Sequence, residues 1–311
     1  MAEILPSWYE TEPRQRIIDF VAAVTDEAGE GYVAPDDRIA VFDNDGTLWA
    51  ERPAYFQLLF AIDRVREMVP QHPEWVQKPE VQALLAGDPA SAMAGGKKLL
   101  EEVLAVTHAG ITTDEFADIV ESWVTTARHP TTGAAYTEMV YQPMLELLDY
   151  LRAHHFTTYI VSGGGIEFMR VLAEETYGVP PQQVIGSSIK TVYEVREGGP
   201  VLVRQPEIDF INDEAGKPVG INRFIGRRPI LAFGNSDGDH EMLQWTAAGD
   251  GHRFMGLVHH TDAGREWAYD RDAVIGGLDE ALDEAHARDW VIVSMKRDWR
   301  VVFAFAARAG R

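Results

Sequence analysis

Residues 38–48 read Arg-Ile-Ala-Val-Phe-Asp-Asn-Asp-Gly-Thr-Leu. An apolar run ending abruptly in an Asp-Asn-Asp-Gly turn reads as a buried strand of a parallel sheet, with its polar tip at the carboxyl end. The pattern recurs twice. Thr157–Val161 (TTYIV) runs into Ser162-Gly163-Gly164-Gly165, and Pro229–Phe233 (PILAF) runs into Gly234-Asn235-Ser236-Asp237-Gly238-Asp239. Weaker strand candidates are Val184–Ile189 and Phe254–Val258.

Helical stripes fall between these runs. Ile17, Ile18, Phe20, Val21 and Val24 form one. Met144, Leu147, Leu148 and Leu151 form a second, with Pro143 at a first helical position, and Ile166–Tyr177 and His240–Thr246 follow later strands. Strand alternating with helix indicates an α/β fold, a Rossmann-like doubly wound parallel sheet whose ligands sit beyond the carboxyl ends of the strands. Three polar turns converge there.

Between Trp49 and Gln142 the sequence offers helices at 55–69, 79–86, 97–106 and 114–126, and no convincing strand. Thr112 with Glu115 three residues later has the form of a capping box. These features divide the chain into a core, 1–50 and 143–311, and an inserted helical cap, 51–142. A smaller insertion, Ser187–Asp213, alternates around Glu197-Gly198-Gly199-Pro200 and reads as a β-hairpin. Met68, Trp75, Met93 and Trp123 in the cap read as packing residues rather than a ligand pocket. The run Val301–Ala307 (VVFAFAA) reads as a buried strand.

Composition narrows the functions. The chain has 311 residues, 46% apolar and 25% charged, with a formal net charge of -21, which disfavours nucleic acid and anionic membranes as partners. The absence of cysteine excludes disulfides, thiol catalysis and thiolate metal sites. No run approaches the roughly 18 apolar residues of a membrane span, and Met1–Arg16 lacks the apolar centre of a secretory signal, so a cytoplasmic protein is expected. Oligomeric state is not legible.

Chemistry gathers at the strand tips. Asp43 and Asp45, two apart at one tip, can divide attack and proton transfer between them. Gly46 allows a backbone conformation closed to residues with a Cβ. Ser162 and the glycines after it offer donors for phosphate at a helix start. Lys217, ahead of a helix with Ile221 and Phe224, is a cation placed to reach the same point. The oxygen-rich run Asn235–Asp239 suits a hard cation. An EF-hand is excluded by register, since aligning Gly46 or Gly238 as its glycine puts Arg52 or Gln244 where a carboxylate is required. The pairs His154-His155 and His259-His260 lack zincin spacing and read as surface or structural residues.

Taken in order, these four motifs, from Arg38 to Met255, resemble the haloacid dehalogenase superfamily, and specifically its phosphatase branch, nearest the phosphoserine phosphatase-like group. The resemblance implies a small-molecule phosphate monoester as substrate and Mg²⁺ as cofactor. It implies Asp43 as nucleophile, forming an aspartyl-phosphate, and Asp45 as general acid and base. Ser162, Gly163 and Thr47 would bind phosphate, and Lys217 would steady charge. Asp43, the Asp45 carbonyl, Asn235 and Asp239 would serve the metal. True dehalogenases lack the second Asp. Glu51 and Arg52 are further candidates for binding the substrate, and two positions depart from the pattern. Asn235 stands where these phosphatases carry a metal-binding Asp, leaving Asp237 or Asp239 as alternative ligands. Arg52, with Glu51 beside it, stands where the phosphoserine phosphatase-like group carries a substrate-binding Glu. Alternatives to hydrolysis are phosphate transfer to an alcohol and a non-catalytic binding role.

Overall fold

Four-residue apolar runs have no polar face to offer water, so they become strands covered on both sides. The computed structural model describes residues 3–77, 81, 82, 85 and 109–309. In chain order its elements are α1 (Glu12–Thr25), β1 (Ile39–Phe42), α2 (Phe56–Met68), α3 (Thr113–Thr126), α4 (Gln142–Ala153), β2 (Thr157–Gly165) and α5 (Ile166–Tyr177). Then come β3 (Val184–Arg196), β4 (Gly199–Phe210), α6 (Gly216–Phe224), β5 (Leu231–Gly234), α7 (His240–Ala247), β6 (Phe254–His259), α8 (Glu280–Ala287) and β7 (Val291–Ser294).

The seven strands form one sheet in the order β4-β3-β2-β1-β5-β6-β7. All pairings are parallel except that of β4 with β3. Every residue of β1 and β5 is buried. Side chains alternate across a strand, and β1 shows the result. Ala40 and Phe42 pack with Phe20 and Val21 of α1, Leu147 of α4 and Leu172 of α5. Ile39 and Val41 pack on the other face with Ile221 of α6, Met242 of α7 and Leu282 of α8. Helices thus cover both faces, the Rossmann-like arrangement expected from the sequence.

The hairpin is an outgrowth of the sheet. β3 starts parallel to β2 and continues antiparallel to β4, turning at Glu197-Gly198. The strand at Phe254–His259 is present, and β7, absent from the sequence reading, completes the far edge. The expected strand over Val301–Ala307 is corrected. Phe303 makes one isolated bridge to Tyr141, and a helix, α9 (Ala304–Ala309), follows. Its Ala-rich sequence favours helix once the chain has passed that bridge.

In the region 51–142, α2 and α3 are helices as read. The Thr112 capping box forms, with Glu115 N–H donating to Oγ1 at 3.1 Å and Thr112 N–H to Glu115 Oε2 at 2.7 Å. The two helices rest on α5 through Phe60, whose ring lies 6.0 Å from Phe116, 5.3 Å from Trp123 and 5.3 Å from Phe168. Trp123 also stacks on Tyr136, and Trp75 packs on a small cluster around Val65. The helix expected at 97–106, most of that at 79–86, and Met93 lie outside the described residues.

Candidate active site

The carboxyl ends of β1, β2 and β5 are neighbours in the sheet, so the turns that leave them share one volume. Asp43 N–H donates to the Phe233 carbonyl at 2.9 Å, tying the first turn to β5. Gly46 then bends the chain with a φ of +81°, the left-handed region that glycine tolerates. A Cβ there would stand 2.1 Å from Asn235 Nδ2 and 2.6 Å from Glu51 Oε1, so close packing demands glycine as well.

Lys217, on the first turn of α6 and 2% exposed, joins the two ends of the site. Its Nζ donates to Asp43 Oδ1 at 2.6 Å and to Asp239 Oδ1 at 2.5 Å. Burial works against the ammonium, but Asp239, Asp43 and Asp213 outweigh it and raise its pKa. Asp43 is pushed well above the usual carboxylate range by burial and by Asp239, with Lys217 opposing. Burial also raises Asp45, against the hydrogen bond from Trp49 Nε1 at 2.9 Å and the field of Lys217. Ser162 Oγ lies 3.4 Å from Asp45 Oδ2 and accepts from Gly164 N–H at 3.0 Å.

The last turn settles what its three polar residues touch. Asp239 Oδ2 accepts from the Asn235 and Ser236 N–H groups at 2.9 and 3.1 Å, so both its oxygens are engaged. Asp237 faces away and caps α8, accepting from Asp279 and Ala281 N–H at 3.0 and 2.9 Å. Asn235 remains, with Oδ1 accepting from Thr47 Oγ1 at 3.1 Å and Nδ2 donating to Glu51 Oε1 at 2.9 Å.

Asp43, Asp45, Thr47, Ser162, Lys217, Asn235 and Asp239 therefore lie in one connected cluster. Gly163 borders it, its carbonyl accepting from Ser187 Oγ at 2.7 Å. Glu51 reaches the cluster through Asn235, and Arg52 turns away from it. Glu51, 1% exposed, also accepts from Tyr269 O–H at 2.7 Å, and burial pushes its carboxyl well up. The Arg52 guanidinium lies 4.0 Å over the Tyr269 ring and donates to the Ile275 carbonyl.

Sequence reading missed several neighbours. Gln57 on α2 accepts from Gly165 N–H at 2.7 Å, clasping the inserted segment to the Gly-rich turn. Asp213 stands at the rim, its Oδ1 3.0 Å from where a Gly163 Cβ would be. The Tyr55 phenol, just ahead of α2, is raised by burial and by the fields of Glu51, Asp45, Asp213 and Asp43. Each is an ordinary residue type outside any motif, with no periodicity to mark it. His260, by contrast, reads in the sequence as a surface or structural residue, and it is buried behind the first turn, where its Nε2 contacts the Gly46 carbonyl at 2.8 Å.

The donor set fits Mg²⁺. Among the described residues no group of three or more His, Cys, Asp or Glu forms a metal cage. Mg²⁺ rarely wants one, taking one or two carboxylates and completing its shell with neutral oxygens, water and phosphate. Asp43 has one oxygen beyond the reach of Lys217, the Asp45 carbonyl accepts no hydrogen bond among the described residues, and Asn235 offers Oδ1. Two buried acids, Asp43 and Asp239, share the one buried lysine, with half-buried Asp45 at the same tip and buried Glu51 behind Asn235, an excess of negative charge that a divalent cation offsets.

A sheet of this topology brings paired aspartates at the first strand tip, a hydroxyl at the second and a lysine that touches both ends to one point. The chain belongs to the haloacid dehalogenase-like hydrolase family, whose profile matches residues 40–244. It is similar to a conserved protein of unknown function from Anaerococcus prevotii DSM 20548, at 16% identity over 94% of each chain and a TM-score of 0.58. It also resembles a protein of unknown function from Bordetella pertussis Tohama I, at 15% identity over 83% of this chain and 98% of that one, with a TM-score of 0.52. A phosphoserine phosphohydrolase-like protein from Francisella tularensis matches at 16% identity over 71% of this chain and 87% of that one, with a TM-score of 0.40. A search of curated protein sequences gives no match. Among the described residues no helix is long and apolar enough to cross a membrane.

Proposed function

We propose that the chain is a Mg²⁺-dependent phosphatase that hydrolyses a small-molecule phosphate monoester through an aspartyl-phosphate on Asp43, with residues 51–142 as its cap. The observation that carries this reading is the Lys217 bridge. An ammonium buried between Asp43 and Asp239 fixes the Asp43 carboxylate at the strand tip and offsets its charge, and Asp45 stands at the same tip.

The chemistry divides into two halves. An Asp43 oxygen attacks phosphorus while the bond to the ester oxygen breaks, and Asp45, as the acid, gives that oxygen its proton. Water then attacks phosphorus, Asp45 takes back a proton, and the bond to Asp43 breaks to release phosphate. Burial raises Asp45, which favours the protonated form the first half needs. Lys217 offsets the repulsion between a carboxylate and a phosphate dianion. Ser162 Oγ, beside Asp45, is placed to donate to a phosphate oxygen. Asp43, the Asp45 carbonyl and Asn235 would hold Mg²⁺, which supplies positive charge at the transferring phosphoryl group.

A phosphate ester is anionic, so the site must hold its cations against a molecule carrying -21, and the metal with Lys217 does so. The intact nucleophile and acid favour catalysis over a binding role. Capture of the aspartyl-phosphate by water needs no acceptor beyond the solvent, which makes hydrolysis the simpler of the two outcomes. The test is phosphate release from an aryl phosphate, with Mg²⁺ and with chelator, for the wild type and Asp43→Asn. Magnesium-dependent turnover lost in the variant is expected, and turnover that survives the substitution would overturn the mechanism. Phosphate found on an added alcohol would favour the transferase alternative.

A further inference from the structure

Glu51 is an expensive residue to keep where it is. Its side chain is buried, with 1% of the residue exposed, and it has no ion pair among the described residues. Arg52, the cation whose field acts on Glu51 among the described residues, is turned onto the Tyr269 ring. Two glycines make room for the carboxylate. A Cβ at Gly46 would stand 2.6 Å from Oε1, and one at Gly276 would stand 2.0 Å from it. Both have positive φ, +81° and +63°. A buried carboxylate without a cation costs several kcal/mol unless something offsets it.

The carboxylate oxygen that these glycines admit accepts from Asn235 Nδ2 at 2.9 Å and Tyr269 O–H at 2.7 Å. A carboxamide has two unlike ends. With Nδ2 taken by an acceptor, only Oδ1 is left for the other side, where Thr47 already donates to it at 3.1 Å. A reversed amide would set Oδ1 against the Glu51 carboxylate. Glu51 therefore decides which end of Asn235 faces the site.

Resting on the metal-dependent reading above, we propose that Glu51 is a positioning residue for the cation. It locks the Asn235 carboxamide with Oδ1 toward the metal and places behind that neutral ligand the negative charge that an amide lacks. Charge and ligand atom are then divided between two residues, joined by one hydrogen bond. Outer-sphere partners of metal ligands are commonly worth about 10–100-fold in affinity.

The division can be reversed. Mg²⁺ binding to the full chain, free of substrate, is measured by titration calorimetry, and thermal unfolding is followed with and without Mg²⁺. The variants are Glu51→Gln, Asn235→Asp and the double variant. Glu51→Gln is expected to bind Mg²⁺ about tenfold or more weakly. Asn235→Asp sets two carboxylates against each other and lowers the melting temperature without metal. The double variant returns one carboxylate and one amide to the pair in swapped places, and is expected to recover both the melting temperature and Mg²⁺ affinity. A Glu51→Gln protein that binds Mg²⁺ as the wild type does would overturn the proposal. So would a double variant that is folded yet binds no better than Glu51→Gln. If Glu51→Gln alone fails to fold, the double variant carries the test. A wild type that binds no Mg²⁺ would instead sink the metal-dependent reading, a result distinct from either.

Discussion

Lys217 is the residue on which the site's charges balance. It is buried between two carboxylates, and each oxygen it touches has no cation but Lys217 among the described residues. Lys217→Met keeps much of the side chain's volume and removes the charge, leaving Asp43 and Asp239 to face each other. Breaking a buried pair in this way costs about 3–5 kcal/mol. Urea unfolding of the metal-free variant is expected to show a loss of that order together with loss of turnover, and an unchanged midpoint would mean that the carboxylates do not share the ammonium. Asp43, Asp45, Ser162 and Lys217 were legible because each follows or precedes a strand tip in a fixed order. The partners of Glu51 were not. A Glu beside an Arg reads the same whether buried or exposed, and Tyr269 lies 218 residues away in the chain. Asn235 was legible as an anomaly, and only contact with Glu51 gave the anomaly a physical sense.

At the scale of elements, the sequence marked what periodicity and abrupt turns can mark. The central strands, α4, α5 and the α3 capping box all carry such signals. β7 (VIVS) and the acidic α8 are short and lack strong boundaries, and the C-terminal run has the apolar density of a strand with the alanine content of a helix. Loops that brace elements are less legible still. His129, following α3, donates from Nε2 to the Arg52 carbonyl at 2.7 Å, while Nδ1 faces the N–H groups of Thr131 and Thr132 at 3.4 and 3.2 Å. That environment suits the neutral ring, and its pKa is lowered by burial, with the Arg52 carbonyl opposing. The folded value lies below the unfolded one near 6.5, so stability is full above 6.5 and is lost as pH falls from there through the depressed folded value. His129→Gln keeps a donor for Arg52 and removes the titration. Its melting temperature is expected to fall less than that of the wild type across this window, and parallel pH curves would show that His129 does not carry the effect.

The whole molecule sets a field that the site must work against. With 28 basic and 49 acidic residues, the chain repels an approaching phosphate dianion before the local cations can attract it. The mouth adds to that repulsion, because Asp213 stands at the rim and Arg52, which follows the first turn, is held on Tyr269. Screening shortens the reach of such a field from about 30 Å at 0.01 M salt to about 8 Å at 0.15 M, whereas the buried contacts of Lys217 are screened far less. Adding sodium chloride over that range, with Mg²⁺ held saturating, is therefore expected to lower KM for an aryl phosphate and leave kcat nearly constant. The same comparison with a substrate carrying a compensating ammonium group should show a smaller change, since its approach is driven by a smaller net charge. A KM that rises with salt would mean that local positive charge at the mouth dominates at long range. In that case the acidic surface would be doing nothing to select among phosphate esters.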